Sequence, residues 1–141
     1  MKVSNWGLYP TVEAEVRSFG NQRQLEGETG EWENFIARGM GRCYGDSALN
    51  ERIVDTTQFN RFLSFDSQTG MIRCQSGVTF KEIIDLVLPQ GWFLPVTPGT
   101  KFITVGGAIA ADVHGKNHHS EGSFSVHLHE FNLLAGTGEV F

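Results

Sequence analysis

The stretch Pro98-Gly99-Thr100-Lys101-Phe102-Ile103-Thr104-Val105-Gly106-Gly107-Ala108-Ile109-Ala110-Ala111-Asp112-Val113-His114-Gly115-Lys116-Asn117-His118-His119 constrains this chain more than any other. It sets Gly, Thr and small apolar residues first, then a knot of His, Lys and Asn. A packed core element has little use for so many glycines, which lose entropy on folding and bury no side chain. A loop that must bring bare backbone against a large anionic ligand does use them. Pro98-Gly99-Thr100 fixes a turn, and Thr104-Val105-Gly106-Gly107 puts a hydroxyl beside bare backbone. A Gly-rich helix start packed on a sheet stands beside this reading as an alternative.

A second Gly-rich run, Arg38-Gly39-Met40-Gly41-Arg42-Cys43-Tyr44-Gly45-Asp46, follows a short apolar stretch, Phe35-Ile36-Ala37. Its three glycines allow positive φ, so that successive N–H groups can form an anion-binding nest. Arg38 and Arg42 can add positive charge suited to a pyrophosphate. A lone Gly-x-Gly is weak evidence for a ligand, since most such runs are plain turns. Two Gly-rich loops that each carry nearby cations make a stronger pair than either alone.

The five histidines open a different chemistry. His127 and His129 are spaced two apart in a segment, residues 126–134, whose alternation reads as a strand. They would share a face and, with His118 or His119, could in principle hold zinc. No Asp, Glu or Cys completes a recognised ligand spacing, so the expectation is no metal. His114 differs, because Lys116 and Asn117 stand beside it. Such a group suits a ring with carbonyl and amide edges, or a substrate phosphate.

The rest of the chain bounds these readings. Its 141 residues suffice for one domain or two small ones, and 40% hydrophobic against 19% charged residues is a globular composition. A net charge of -5 argues against non-specific nucleic-acid binding. Cys43 and Cys74 form no metal spacing and suggest no disulfide scaffold. The first residues carry no apolar signal region, and no apolar run approaches the roughly 20 residues that span a bilayer. A cytoplasmic setting is the default, with a peripheral membrane association left open and the oligomeric state unspecified.

Patterning predicts an amphipathic strand over 11–19, a loop or short, poorly formed helix over 20–30, and a strand at 53–55. A hairpin follows, 62–66 against 71–75 around Ser67-Gln68-Thr69-Gly70. Thr79 and Glu82 make a capping box for a helix over 80–88, which Pro89 and Gly91 end. Trp92-Phe93-Leu94 reads as a short strand, and 104–112 as a helix packed tightly on a neighbour. Gly136 to Glu139 turns the chain into a strand begun at Val140-Phe141. The mixture is α+β with short strands, with a lobe boundary near 55–58. The break just after a hairpin turn suggests a piece of something longer.

The run RGMGRCYGD and the run PGTKFITVGGAIAADVHGKNHHSEGSF resemble the FAD-binding domain of oxidases of the vanillyl-alcohol-oxidase class, the PCMH-type fold. The likeness is greatest to the decaprenylphosphoryl-ribose 2′-oxidase branch, and Asn5-Trp6-Gly7 and Ser76-Gly77-Val78-Thr79 fit it too. It covers about residues 5–141. The resemblance implies an α+β PCMH-type fold: a small βαβ-like lobe, residues 1–57, bearing the pyrophosphate loop, and part of a second mixed α/β lobe, residues 58–141. The substrate domain would lie outside this chain.

It further implies that Arg38 to Ser47 wrap the FAD pyrophosphate through backbone N–H groups. Pro98, Gly99 and Thr104 to Gly107 would continue the cofactor contact. Ala111, Asp112, Val113 and His114 would lie by the isoalloxazine, with His114 the catalytic candidate. Arg42 stands where relatives carry a histidine joined to the flavin, which implies non-covalent FAD. The implied activity is oxidation of a CH–OH group, on a polyprenyl-phospho-sugar or another small-molecule substrate, by hydride transfer to flavin. The chain alone would be inactive.

Overall fold

The computed structural model describes residues 1–29, 32 and 34–141. Of the polar stretch over 20–30, Gly30 therefore lies outside the described residues.

The chain begins with a two-stranded antiparallel ribbon, β1 (Lys2–Ser4) against β2 (Thr11–Glu13), in which Val3 faces Val12. β3 (Glu15–Ser18) follows at once but joins a different sheet. The single strand expected over 11–19 is thus two strands. Ala14 breaks it: its buried N–H bonds Met1 at 2.8 Å, and the next N–H bonds Glu51 at 2.8 Å. The alternation of Val12, Ala14 and Val16 is real, but it spans a switch between partners that periodicity cannot register.

β3, β4 (Ile36–Arg38) and β5 (Arg52–Asp55) form a parallel sheet in the order β3-β5-β4. Ile53 and Val54 on the middle strand are buried, as expected for a strand covered on both faces. α1 (Gln22–Thr29) joins β3 to β4, which makes the βαβ-like unit. Its composition is polar, yet the helix forms because the Asn21 side chain caps the Gln24 N–H at 3.0 Å and Leu25 packs on Phe19, Trp32 and Val54.

β6 (Phe62–Asp66) and β7 (Met71–Cys74) pair as the expected hairpin. The Asp66 carboxylate accepts from Gln68 N–H and the Thr69 hydroxyl, which closes the turn and holds that carboxyl below its ordinary value. α2 (Phe80–Val87) carries the predicted box: Thr79 Oγ1 accepts from Glu82 N–H, and Glu82 reaches back to Thr79 N–H at 2.7 Å. A 3-10 turn at Leu88–Gln90 ends it at Gly91, whose φ is 83°.

Trp92-Phe93-Leu94 is not a strand. Trp92 folds back instead: its N–H bonds Val87, its indole donates to Ser67 at 2.9 Å, and its ring covers Gly70. Residues 126–134 also depart from the strand pattern. A 3-10 turn takes Phe124–His127, so His127 and His129 do not share a strand face. The cause is Asp112, whose carboxylate accepts from Ser123 Oγ at 2.8 Å and Ser125 N–H at 2.9 Å. The chain extends again where Leu134 bridges Val140.

Two short helices complete the second half, α3 (Val105–Ala110) and α4 (His118–Glu121). The larger core cluster joins Val78, Phe80, Ile83 and Val87 to Ala108 of α3, and Phe124 lays its ring 5.3 Å from Phe80. The smaller one is Phe19, Trp32 and Val54 beside the parallel sheet.

Candidate functional site

The loop after β4 is held at both ends. At its start Arg38 C=O accepts from Thr56 N–H at 2.9 Å and from Thr56 Oγ1 at 3.1 Å. At its end Leu49 N–H bonds Asp46 C=O at 2.9 Å. Between these points the backbone donors are open. Among the described residues, none accepts a hydrogen bond from the N–H groups of residues 40–46. Gly41 and Gly45 sit at φ of 62° and 58°. A run of open amides on a backbone with left-handed points is the geometry of an anion nest.

Charge reinforces it. Arg38 gives its guanidinium to neutral acceptors: the Asn5 side-chain oxygen, Ala48 C=O at 3.2 Å and Ser4 C=O at 2.8 Å. Its positive charge is therefore not cancelled by these partners. The guanidinium is fixed on Asn5, Ser4 and Ala48, at the edge of the cleft that Gly41 and Arg42 also line. Arg42 lies over the Trp6 ring at 5.4 Å and donates to Met40 C=O at 3.1 Å. Two open clefts meet at Met40. One of about 420 Å³ is lined by Asn5, Trp6, Arg38, Gly41 and Arg42. The other, of about 390 Å³, is lined by Thr57, Asn60, Gly77, Thr79, Lys81 and Glu82. Both volumes are of ligand-pocket size.

The second Gly-rich segment comes against the first. A Cβ on Gly39 would collide with Thr104 Oγ1, so the two loops touch at these residues. Thr104 is buried and caps α3 by accepting from Gly107 N–H at 3.1 Å. Here the backbone donors are taken. Val105 N–H bonds Val78, Gly106 N–H bonds Ser76, both at 2.8 Å, and Ala108 N–H bonds Thr104 C=O at 2.9 Å. Gly106 lies close to Ser76: a Cβ would approach Ser76 Cβ at 3.0 Å. Gly77 next to it lies under Thr56 C=O, which links the second segment back to the start of the first loop. Pro98 is half-buried and Gly99 exposed, with no atom near a Cβ placed there.

Beyond α3, Ala111 and His114 are exposed and Val113 packs into the larger core cluster. Asp112 takes φ of 40°, rare for a residue with a side chain, and stays there because its carboxylate pins Ser123 and Ser125. The Ser125 N–H, then the Ser123 hydroxyl, hold that carboxyl below its ordinary value, and His114 nearby acts in the same direction. His114 bridges Ser123 in antiparallel fashion and its ring lies 5.2 Å from His118, which lies 4.0 Å from His119. Gly115 is buried where a Cβ would meet Thr97 C=O at 2.7 Å, and Asn117 donates to Pro95 C=O at 3.0 Å. His127 Nε2 donates to Glu121 C=O at 2.9 Å. No group of three or more His, Cys, Asp or Glu among the described residues could hold a metal ion.

Sequence reasoning placed both loops but undervalued what joins them. Asn5 is 2% exposed and bonds both Arg38 and, through Nδ2, Gly45 C=O at 2.9 Å. Thr56 and Gly77 link the loops from below. Asn5 and Gly77 both lie in short runs that fit the family resemblance, Asn5-Trp6-Gly7 and Ser76-Gly77-Val78-Thr79, but neither run names its partner in the fold.

The chain is similar to known proteins over most of its length. A family described as FAD binding domain matches residues 31–141. Decaprenylphosphoryl-beta-D-ribose oxidase of Mycolicibacterium smegmatis is 48% identical over 107 residues, 74% of this chain and 23% of that protein. D-lactate dehydrogenase of Anaerostipes hadrus is 28% identical over 62% of this chain and 18% of that protein. The solved structure of an alkyldihydroxyacetonephosphate synthase superposes with a TM-score of 0.73 at 20% identity, over 89% of this chain and 25% of that one. The chain thus spans about a quarter or less of the length of these relatives.

Proposed function

Since this chain belongs to the FAD binding domain family, we propose that it is the cofactor-holding part of a flavin-dependent oxidoreductase that acts on a CH–OH group. The α+β arrangement is that of the PCMH-type FAD-binding fold, and FAD is the cofactor. One observation carries the reading: the N–H groups of residues 40–46 are without acceptors among the described residues, on a loop backed by an uncancelled Arg38 charge. These donors suit the oxygens of a pyrophosphate.

The backbone N–H groups of the loop that follows Arg38, residues 39–47, would hold the pyrophosphate, with the Arg38 charge supporting them. Gly99 and residues 104–107 add contact through bare backbone surface, and residues 111–114 stand beside the flavin ring. When bound, FAD supplies an acceptor for a hydride. His114, exposed next to the rigid Asp112 turn, holds or moves a proton at the substrate hydroxyl. Attachment is non-covalent, with Arg42 at the place where a linking histidine would stand. The two lobes divide near residue 57. A lipid-linked sugar is the substrate class favoured by the likeness to the mycobacterial oxidase.

Titration of the flavin-free protein with FAD, read by flavin fluorescence and absorbance, tests the cofactor assignment. Saturable uptake of one equivalent is expected. A protein that leaves added FAD in solution overturns it. His114→Ala in the complete enzyme is expected to slow flavin reduction by substrate about 100-fold, with FAD retained. Loss of both in equal measure would make His114 a structural residue.

A further inference from the structure

The loop over 40–46 poses a physical problem. It has three neighbouring glycines among residues 39–45 and almost no hydrogen bonds of its own, so by itself it would be a floppy segment. An anion nest works only if its donors already converge, because ordering them on binding would subtract from affinity. The protein must therefore fix the loop from outside, and it must do so without occupying the donors.

Asn5 and Arg38 do this together. Asn5 is buried at the end of β1, where the ribbon passes behind the loop. Its oxygen accepts from Arg38 and its Nδ2 donates to Gly45 C=O at 2.9 Å, so one side chain ties the first residue of the loop to its far limb. Arg38 completes the tie to Ser4 C=O and Ala48 C=O. Trp6 N–H holds Cys43 C=O at 3.3 Å between them. Every one of these contacts to the loop uses a carbonyl or a side chain. None uses an N–H of residues 40–46. Fastening the Cys43 and Gly45 carbonyls turns the Tyr44 and Asp46 amides, which share those trans peptide planes, to the opposite side. Gly41 is the point where the loop crosses the brace: a Cβ there would enter the Arg38 guanidinium.

We propose that Asn5 and Arg38 are positioning residues that hold the pyrophosphate loop in its anion-receptive shape, rather than ligands of the cofactor. The inference rests on the FAD reading above for its ligand, but its geometry does not. Arg38 acts through its fork of donors, which Lys cannot reproduce. The two residues act as one unit, because Asn5 is a partner of Arg38.

Three variants test this: Asn5→Ala, Arg38→Lys and the double variant. Each is read by FAD titration and by trypsin cleavage after Arg42 against cleavage after Arg73, followed by mass spectrometry. The expected result is a roughly ten-fold loss of FAD affinity in each single variant, the size of one lost hydrogen bond. The double variant should be little worse than either. Cleavage after Arg42 should speed up relative to Arg73 in all three, a local effect that global destabilisation would not produce. Wild-type affinity in Arg38→Lys would mean that charge alone matters and would overturn the brace. So would additive losses, or an unchanged cleavage ratio. A wild-type protein that takes up no FAD would sink the FAD reading, while the cleavage ratio would still decide the brace.

Discussion

Residues 40–46 and residues 104–108 each carry two glycines, and they dispose of their backbone donors in opposite ways. In the first segment the N–H groups have no acceptor among the described residues. In the second, the N–H groups of residues 105–108 are bonded to Val78, Ser76 and Thr104. The glycines follow suit. Gly41 and Gly45 are favoured by positive φ, whereas Gly106 is favoured by the nearness of Ser76. One segment uses glycine to shape a receptor, the other to bring a helix close to its neighbours. Glycine content alone cannot separate these uses, because the residue permits both.

The largest expected effect bears on the first segment. Gly41→Val forces a side chain into φ of 62° and into the Arg38 guanidinium. Left-handed strain of about 1–2 kcal/mol and a collision of about 1–3 kcal/mol together predict about 100-fold weaker FAD binding, measured by fluorescence titration. Unchanged affinity would erase the distinction between the two segments.

Thr104→Ala comes next. It removes the α3 cap and the contact with Gly39. Thermal unfolding should show a loss of about 1 kcal/mol, with FAD affinity falling much less than in Gly41→Val. An affinity loss as large as that of Gly41→Val would show that the second segment also binds through polar groups.

The smallest effect concerns pH. The Asp112 carboxyl is held below its ordinary value of 3.8, so its grip on Ser125 is present above that value and is lost as pH falls through the lowered one. The Ser125 amide resonance should titrate with a midpoint below 3.8. A midpoint at or above it would mean that the turn beside His114 is not held by Asp112.

Some of this was written in the residues. The capping box at Thr79 and Glu82, the hairpin around residues 67–70 and the α3 segment are set by neighbours within a few positions, so local pattern reports them. The same holds for the existence of both Gly-rich loops. The strand misread at Trp92-Phe93-Leu94 fails for the opposite reason. Trp92 packs onto the hairpin turn 25 residues earlier, through its bond to Ser67 and its ring over Gly70, while Phe93 stays exposed. The split at Ala14 and the 3-10 turn at Phe124–His127 are likewise decided by Met1, Glu51 and Asp112, all distant in sequence or turned away from the pattern.

The sequence by itself determined the family, the local elements and the two stretches of bare backbone. Only the tertiary structure decided which stretch keeps its donors open. A backbone N–H is the same group in every residue but proline, so whether it is free depends on which carbonyl the fold brings to it. Ser76 and Val78 meet the second stretch, while the Asn5 side chain and the Trp6 N–H hold the first by its Gly45 and Cys43 carbonyls.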